Sequence, residues 1–489
     1  MATEQQAAPG FPAQTPEDLV EQVSSADLSE GELRLDASYY SAAVITAKAK
    51  VEAASARIAA LGSFSRDTWY PGRFRRIWAA ADVGVPLVGS TELFHLRPES
   101  DKFLSRTQTR DIDRLKVNPT DLLITRSGSV GRATIAGRRL HGMAVSEHVI
   151  RVELDPDSAW GFLCAFLLSS AGKTLLLRGR FGANVPELEP HHIDAVPVPC
   201  FPGQEEEIHE LMREAVETRD AAAALIDESN GALLAALGIP AFEFEEAVFL
   251  PKATTSALHT ANPHAFAVSS ADLQERLDGS FHVPIAQAAL TTLEESGVKL
   301  KRLAELSEEI YVAPRFARIY VGADRGVPFL QGRSIPQYRP IDLQHISRRH
   351  TKNLSNWIIE QDSVLVTCSG TIGRVALSTE GEHGWAASQH IMRVRAAEGR
   401  SDAGYLAAFL RNAYGQHQLK AKIYGGVVDE LTERDAAEIR VPDLPADGQR
   451  RIGDLVREAY RKRDLANSLE DHAVAAVENL LDTAPARRS

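Results

Sequence analysis

The sequence predicts an α+β chain made of two tandem copies of one domain, each a mixed or antiparallel sheet with helices, and each followed by a long helix. Three observations carry this: a repeat through most of the 489 residues, buried-strand patterns inside each copy, and a 3–4 apolar spacing at the end of each copy. The repeat comes first. Val23–Leu28 and Val268–Leu273 both read VSSADL. RLDASYY (34–40) answers to RLDGSFH (276–282), RIWAAADVGVPL (76–87) to RIYVGADRGVPF (318–329), LLITRSGSVGR (122–132) to VLVTCSGTIGR (364–374), and AVSEHVIRV (144–152) to AASQHIMRV (386–394). From Arg34 to Val152 the matches keep an offset of 242 residues, which drifts to 243 at Gly161/Gly404 and 244 at Arg213/Arg457. Small loop insertions give such drift. A unit of this length is a duplicated domain and not a solenoid repeat.

Inside each copy, LLIT (122–125) and VLVT (364–367) are short, apolar and β-branched, and a Ser-Gly turn follows at once. RATIAG or RVALS comes next, so strand–turn–strand is expected. The long helices rest on periodicity. Ile208, Leu211, Met212, Ala215, Ala222, Ile226, Leu233 and Leu237 share a 3–4 spacing, as do Ile452, Leu455, Val456, Ala459, Ala466, Leu469, Ala473, Val477 and Leu480. Pro202 and Pro445 stand just before these segments and Gly238 closes the first. About 32 residues make roughly 48 Å of helix. One apolar stripe needs a partner. The other copy's helix is the obvious one, giving two long antiparallel coiled-coil helices and an internal pseudo-twofold. The expected organisation is an acidic tail (1–22), a first domain (23–200), a spacer helix (201–238), a Pro/Thr/Ser/Ala-rich linker (239–267), a second domain (268–442), a second spacer helix (443–482) and a basic tail (483–489).

Composition sets limits. With 44% hydrophobic and 25% charged residues the chain can bury a core. No apolar run reaches the roughly 18 residues that span a bilayer; the longest, 159–168, stops at Ser169. No basic start with an apolar run marks a signal peptide. Cys164, Cys200 and Cys368 form no CxxC pair, which argues against zinc and disulfides and favours a reducing cytoplasm. The net charge of −12 points away from nucleic acid. Its distribution softens that. Residues 1–33 hold seven acids and no Lys or Arg, and residues 205–228 hold nine acids and two arginines, which leaves about +2 for the rest.

The ordered motifs resemble the specificity (S) subunits of type I restriction–modification systems. The carriers are the turns Thr125–Arg132 and Thr367–Arg374, the segments Ser146-Glu147-His148 and Ser388-Gln389-His390 that follow them, and the Val-Pro segments at 196–199 and 441–442 leading into a long helix. The resemblance implies two target recognition domains, each reading half of a bipartite double-stranded DNA sequence, with the helices setting the distance between halves. It implies no catalysis in this chain. Modification (methyltransferase) subunits, usually two, and translocating restriction subunits would be its partners, and S-adenosylmethionine, Mg and ATP would belong to them. The design also makes physical sense alone, since half-sites read from one face lie about 34 Å apart. A specificity-like module of another phage-defence or DNA-modification complex is the alternative.

The candidate DNA contacts follow. In the turns these are Thr125, Arg126, Ser127, Gly128, Ser129 and Arg132, and Thr367, Ser369, Gly370, Thr371 and Arg374, where glycine lets backbone approach phosphate and Arg meets phosphate or a base edge. A plain tight turn with a surface ion pair reads equally well. The turns lack the Gly-Lys-Ser/Thr of a Walker loop. His148, Gln389 and His390 are candidates from the next segment, with Ser146/His148 and Ser388/His390 expected on one strand face. A duplicated Ser/His hydrolase would need a third group and an oxyanion site around them. Arginine-rich loops add Arg73, Arg75, Arg76, Arg110, Arg114, Arg348 and Arg349, with Arg325 and Arg333 beside the Gly-Val-Pro segment. Neither Asn-Pro-Pro-Tyr nor Asp-Pro-Pro-Tyr occurs, so a methyltransferase signature is missing.

Overall fold

The structure is a computed structural model and describes residues 34, 36–182, 186–242, 268–270, 273, 276–279, 281–425 and 428–483. The acidic tail 1–22, the first VSSADL copy, the linker from residue 243 and the last six residues lie outside the described residues. The chain divides into two compact units, Met1–Ala221 with Lys462–Ser489, and Ala222–Arg461.

The first unit holds strands β1 (58–60), β2 (65–69), β3 (78–79), β4 (84–88), β5 (103–105), β6 (122–125), β7 (133–135), β8 (144–145), β9 (149–154) and β10 (197–199). Its main sheet has the order β2-β9-β6-β7 and is antiparallel throughout. A second sheet, β3-β5-β4-β8, is mixed, because β4 and β8 run parallel. β1 and β10 pair antiparallel and tie the start of the domain to its end. LLIT forms β6, buried at all four positions, because it lies mid-sheet with both faces covered. Leu122, Ile124, Ile150 and Val152 pack against Phe162, Phe166 and Leu176 from the helices Trp160–Leu168 and Ser170–Arg178. That helix pair contains the longest apolar run of the sequence. It bends by 82° and lies mostly buried in this core, and no single described helix is long and apolar enough to cross a membrane.

The second unit repeats the plan with β11 (300–302), β12 (307–312), β13 (320–321), β14 (326–330), β15 (344–347), β16 (364–367), β17 (375–377), β18 (386–387), β19 (391–396) and β20 (440–442). The orders are β12-β19-β16-β17 and β13-β15-β14-β18, with β14 and β18 parallel, and β11 pairs β20. Register repeats as well as order. Leu122 faces Val152 and Val364 faces Val394, and the β-bulges at Ser65/Asp67 and Ser307/Glu309 sit at the same offset. A shared bulge is a strong mark of duplication, since it fixes the twist and exit of its strand.

A shared arginine explains the RLD motif. Arg34 donates to the carbonyls of Gly179 (3.1 Å) and Arg180 (2.8 Å), and Arg276 to those of Lys422 (3.4 Å) and Ile423 (3.0 Å). These oxygens lie just past the helices 170–178 and 413–421, where backbone acceptors run out of intrahelical partners. Asp36 and Asp278 hold the two guanidinium groups by ion pairs of 2.8 and 2.7 Å.

The long helices span Glu205–Leu237 and Ala446–Thr483. The division between units falls inside both. The cause is packing. In the first unit, Ile208, Met212 and Val216 share one apolar cluster with Phe162, Phe201, Ala473, Val477 and Leu481. The stripe therefore covers the domain's own helices as well as the other long helix. Leu211, Leu455, Leu469 and Leu480 are half-buried; the remaining stripe positions are buried.

Candidate nucleic-acid interface

Each Ser-Gly turn is stapled from within. Thr125 Oγ1 donates to the Ser129 carbonyl and accepts from Arg132 N (2.9 Å); Thr367 Oγ1 donates to Thr371 O (2.6 Å) and accepts from Arg374 N (3.0 Å). Both threonines are buried, so they shape the turn and do not present a surface. Gly128 (φ 81°) and Gly370 (φ 75°) hold a backbone conformation that side chains oppose. Gly128, Ser129, Gly370 and Thr371 are exposed at the tips.

Ser146–His148 and Ser388–His390 do not lie on a strand face, as expected from their spacing. They form the corner where the chain leaves the mixed sheet after β8 or β18 and enters the main sheet at β9 or β19. The corner closes with Val149 N to Ser146 O (3.1 Å) and Ile391 N to Ser388 O (3.0 Å). A two-residue strand that changes sheets has no room to alternate. The corner sets each histidine beside its Ser-Gly turn.

In the second unit this builds a polar cleft of about 230 Å³ lined by Arg318, Gln331, Gly332, Arg333, Ser369, Thr371, Arg374, Ser388 and His390. It joins five sequence candidates, Arg333, Ser369, Thr371, Arg374 and His390. Arg318, Gln331 and Ser388 were missed. Arg318 was within reach of the sequence, because Arg76 was a candidate and Arg318 stands 242 residues on. Gln389 is held at the rim, accepting from Arg318 (2.8 Å). Burial, then Arg318 and Arg315, hold the His390 pKa below the usual imidazole value.

The matching groups of the first unit are differently engaged. Arg76 grips both oxygens of Glu147 (2.9 and 2.7 Å), where the second unit has Arg318 and Gln389. Burial opposes ionisation of Glu147, but its own backbone N–H and Arg76 prevail and keep its pKa low. Thr91 stands in the place of Arg333. Arg126 lies over the Tyr70 ring (4.3 Å) and pairs with Glu187 and Glu189 (2.7 Å each). Cys368 replaces it in the second unit, and burial pushes that thiol up to about 12. Thr125, Thr367 and Arg126 are thus committed to the fold. Arg132 stacks on Phe94 at 3.7 Å.

Ser127 Oγ lies 2.6 Å from His148 Nδ1, a contact that invites a hydrolase reading. Ser127 is buried, and His148 Nε2 is 3.9 Å from Glu147, too far to be oriented by a hydrogen bond. The remaining candidates stay apart. Arg73, Arg75 and Arg349 are exposed on loops. Arg110 pairs with Asp111 (3.3 Å), Arg325 with Asp324 (3.1 Å), and Arg114 with Asp67 (3.1 Å) above Trp69 (4.6 Å). Arg348 Nε donates to Gly326 O (2.9 Å), as Arg106 does to Gly84 O (3.2 Å), so part of its role is to brace β14.

Three arginines and three hydroxyls in one cleft, on a duplicated α+β frame, have the chemistry of an anion-recognition site. Residues 325–471 match the family model described as type I restriction modification DNA specificity domain. That match spans less than a third of the chain and lies almost wholly within the second unit. No curated protein matches the chain. Among solved structures it is similar to a type I restriction–modification S subunit from M. genitalium (13% identity, 88% of this chain and 96% of that one, TM-score 0.35). It is also similar to the HsdS subunit from Thermoanaerobacter tengcongensis (14%, 88% and 97%, TM-score 0.27), and to a structure on assembly and conformational transition of the type I R-M system (13%, 88% and 98%, TM-score 0.27). Superpositions with TM-scores this low carry no argument about function.

Proposed function

We propose that this chain is the DNA-specificity subunit of a type I-like restriction–modification system, with each domain reading one half of a bipartite double-stranded target. The observation that carries the reading is the DNA specificity domain in residues 325–471. The strand order, register and bulge of the second unit recur in the first, which supports two readers in one chain. The two readers differ in charged side chains around the turns, so the two half-sites differ in sequence.

On this reading the chain acts in the cytoplasm, chooses the site and leaves chemistry to other chains. Methyltransferase subunits, usually two, and restriction subunits supply S-adenosylmethionine, Mg²⁺ and ATP chemistry. The two long helices, paired as an antiparallel coiled coil, act as the spacer. A 33-residue helix is roughly 50 Å long, more than the roughly 34 Å between half-sites on one DNA face. Nuclease footprinting of the chain with its methyltransferase partner tests the function. Two protected half-sites at a constant gap are expected; protection of one continuous site, or none, contradicts it.

A further inference from the structure

We propose that the cleft of the second unit is a binding site for one phosphate group, and that the matching place in the first unit, where Glu147 grips Arg76, is not. The inference rests on the DNA-reading function only for its natural ligand, a backbone phosphodiester; the anion chemistry stands by itself.

The second unit supplies the donors. Arg318, Arg333 and Arg374 line the cleft with the hydroxyls of Ser369, Thr371 and Ser388, and no carboxylate is among the lining residues. Guanidinium groups fit phosphate oxygens in paired hydrogen bonds. Gly370, at positive φ on the exposed turn tip beside the cleft, adds no side chain to block an approach, and its N–H is already given to the Asp429 carbonyl (3.0 Å), so the donors are the side chains. The volume, about 230 Å³, exceeds several water volumes of roughly 30 Å³ each, so the cleft can admit an anion with part of its hydration. Glu430, which acts on His390, is itself paired with Arg315 at 3.5 Å.

The first unit has the same frame with one arginine fewer and a carboxylate added; Arg76 and Arg132 remain, Arg132 stacked on Phe94. Glu147 replaces Gln389 and accepts from Arg76 Nη2 with both carboxylate oxygens, and Thr91 replaces Arg333. An incoming phosphate would there meet a carboxylate held ionised. Backbone anchoring therefore falls on the second unit, while the first unit's corner is left to meet bases or nothing charged.

The test uses the full chain and two probes. For DNA, the slope of log Kd against log salt falls by about 1 in Arg333→Gln and in Arg374→Gln. It stays at the wild-type value in Arg76→Gln. For inorganic phosphate at fixed ionic strength, the wild type shows a rise in unfolding temperature that Arg333→Gln/Arg374→Gln loses. If the wild type binds DNA but all three slopes agree, the phosphate site is refuted and the DNA-reading function stands. If the wild type binds no DNA but the phosphate effect is lost in the double variant, the site stands and the function fails. An equal loss of slope in Arg76→Gln refutes the asymmetry.

Discussion

Arg219 Nη2 lies 2.7 Å from Glu470 Oε2, joining the two long helices inside the first unit, with both side chains nearly out of solvent (11% and 12% exposed). Placing charges on an otherwise alanine-rich seam fixes which residues face each other there. Losing one partner strands a buried charge, at a cost of about 3–5 kcal/mol. Glu470→Ala is therefore expected to lower stability by that amount in urea titration. Replacing both residues with Met restores most of it. A cost under about 1 kcal/mol for Glu470→Ala would show that the pair is dispensable.

The buried carboxyl of Asp121 gives the first unit a pH dependence that the second lacks, because Ser363 stands at the matching position. Burial raises the Asp121 pKa from 3.8 to about 6, against the pull of Asn118 N–H and Arg151. An acid raised in the folded state keeps its proton longer when folded than when unfolded. Its contribution is thus most favourable below pH 4 and is lost as pH rises from 4 to 6. The loss is about 3 kcal/mol. Asp121→Asn is expected to flatten the stability curve of the full chain in that window, measured by denaturant unfolding at several pH values. An unchanged curve would contradict the burial argument.

Arg34 and Arg276 close the ends of equivalent helices with charge-assisted hydrogen bonds. Each bond of this kind contributes about 1.5–3 kcal/mol. Arg34→Ala and Arg276→Ala should destabilise the chain by similar amounts, seen as lower denaturant midpoints. A large effect at one site with none at the other would deny that the RLD motif does the same work in both copies.

The spacer makes a separate prediction. Adding one helical turn, about 5.4 Å, to both long helices should lengthen the gap between half-sites by one or two base pairs and leave the bases unchanged. Methylated-site sequencing reads both quantities. A variant with the old gap and new bases would refute the spacer role.

Much of the fold was legible because a near-constant 242-residue offset exposes elements in pairs. LLIT and VLVT were visible as strands because full burial removes alternation and leaves only apolar, β-branched residues. The site was less legible. Arg76 and Glu147 are 71 residues apart, and Arg318 and Gln389 likewise, so no local pattern signals that they meet. Ser146–His148 looked like strand because Ser and His stand two apart, yet a change of sheets makes it a corner. Arg126 looked available for DNA until folding brought Glu187, Glu189 and Tyr70 around it. Counting arginines in a segment finds basic surface, but only tertiary structure shows which cations already have partners.

The central claim is that this chain selects a bipartite DNA site for a partner's methyltransferase. Methylome sequencing of the host with and without the gene tests it most directly. The account predicts a two-part methylated motif with a constant gap that disappears when the gene is deleted and returns when it is restored. An identical set of methylated motifs in the two strains would contradict it.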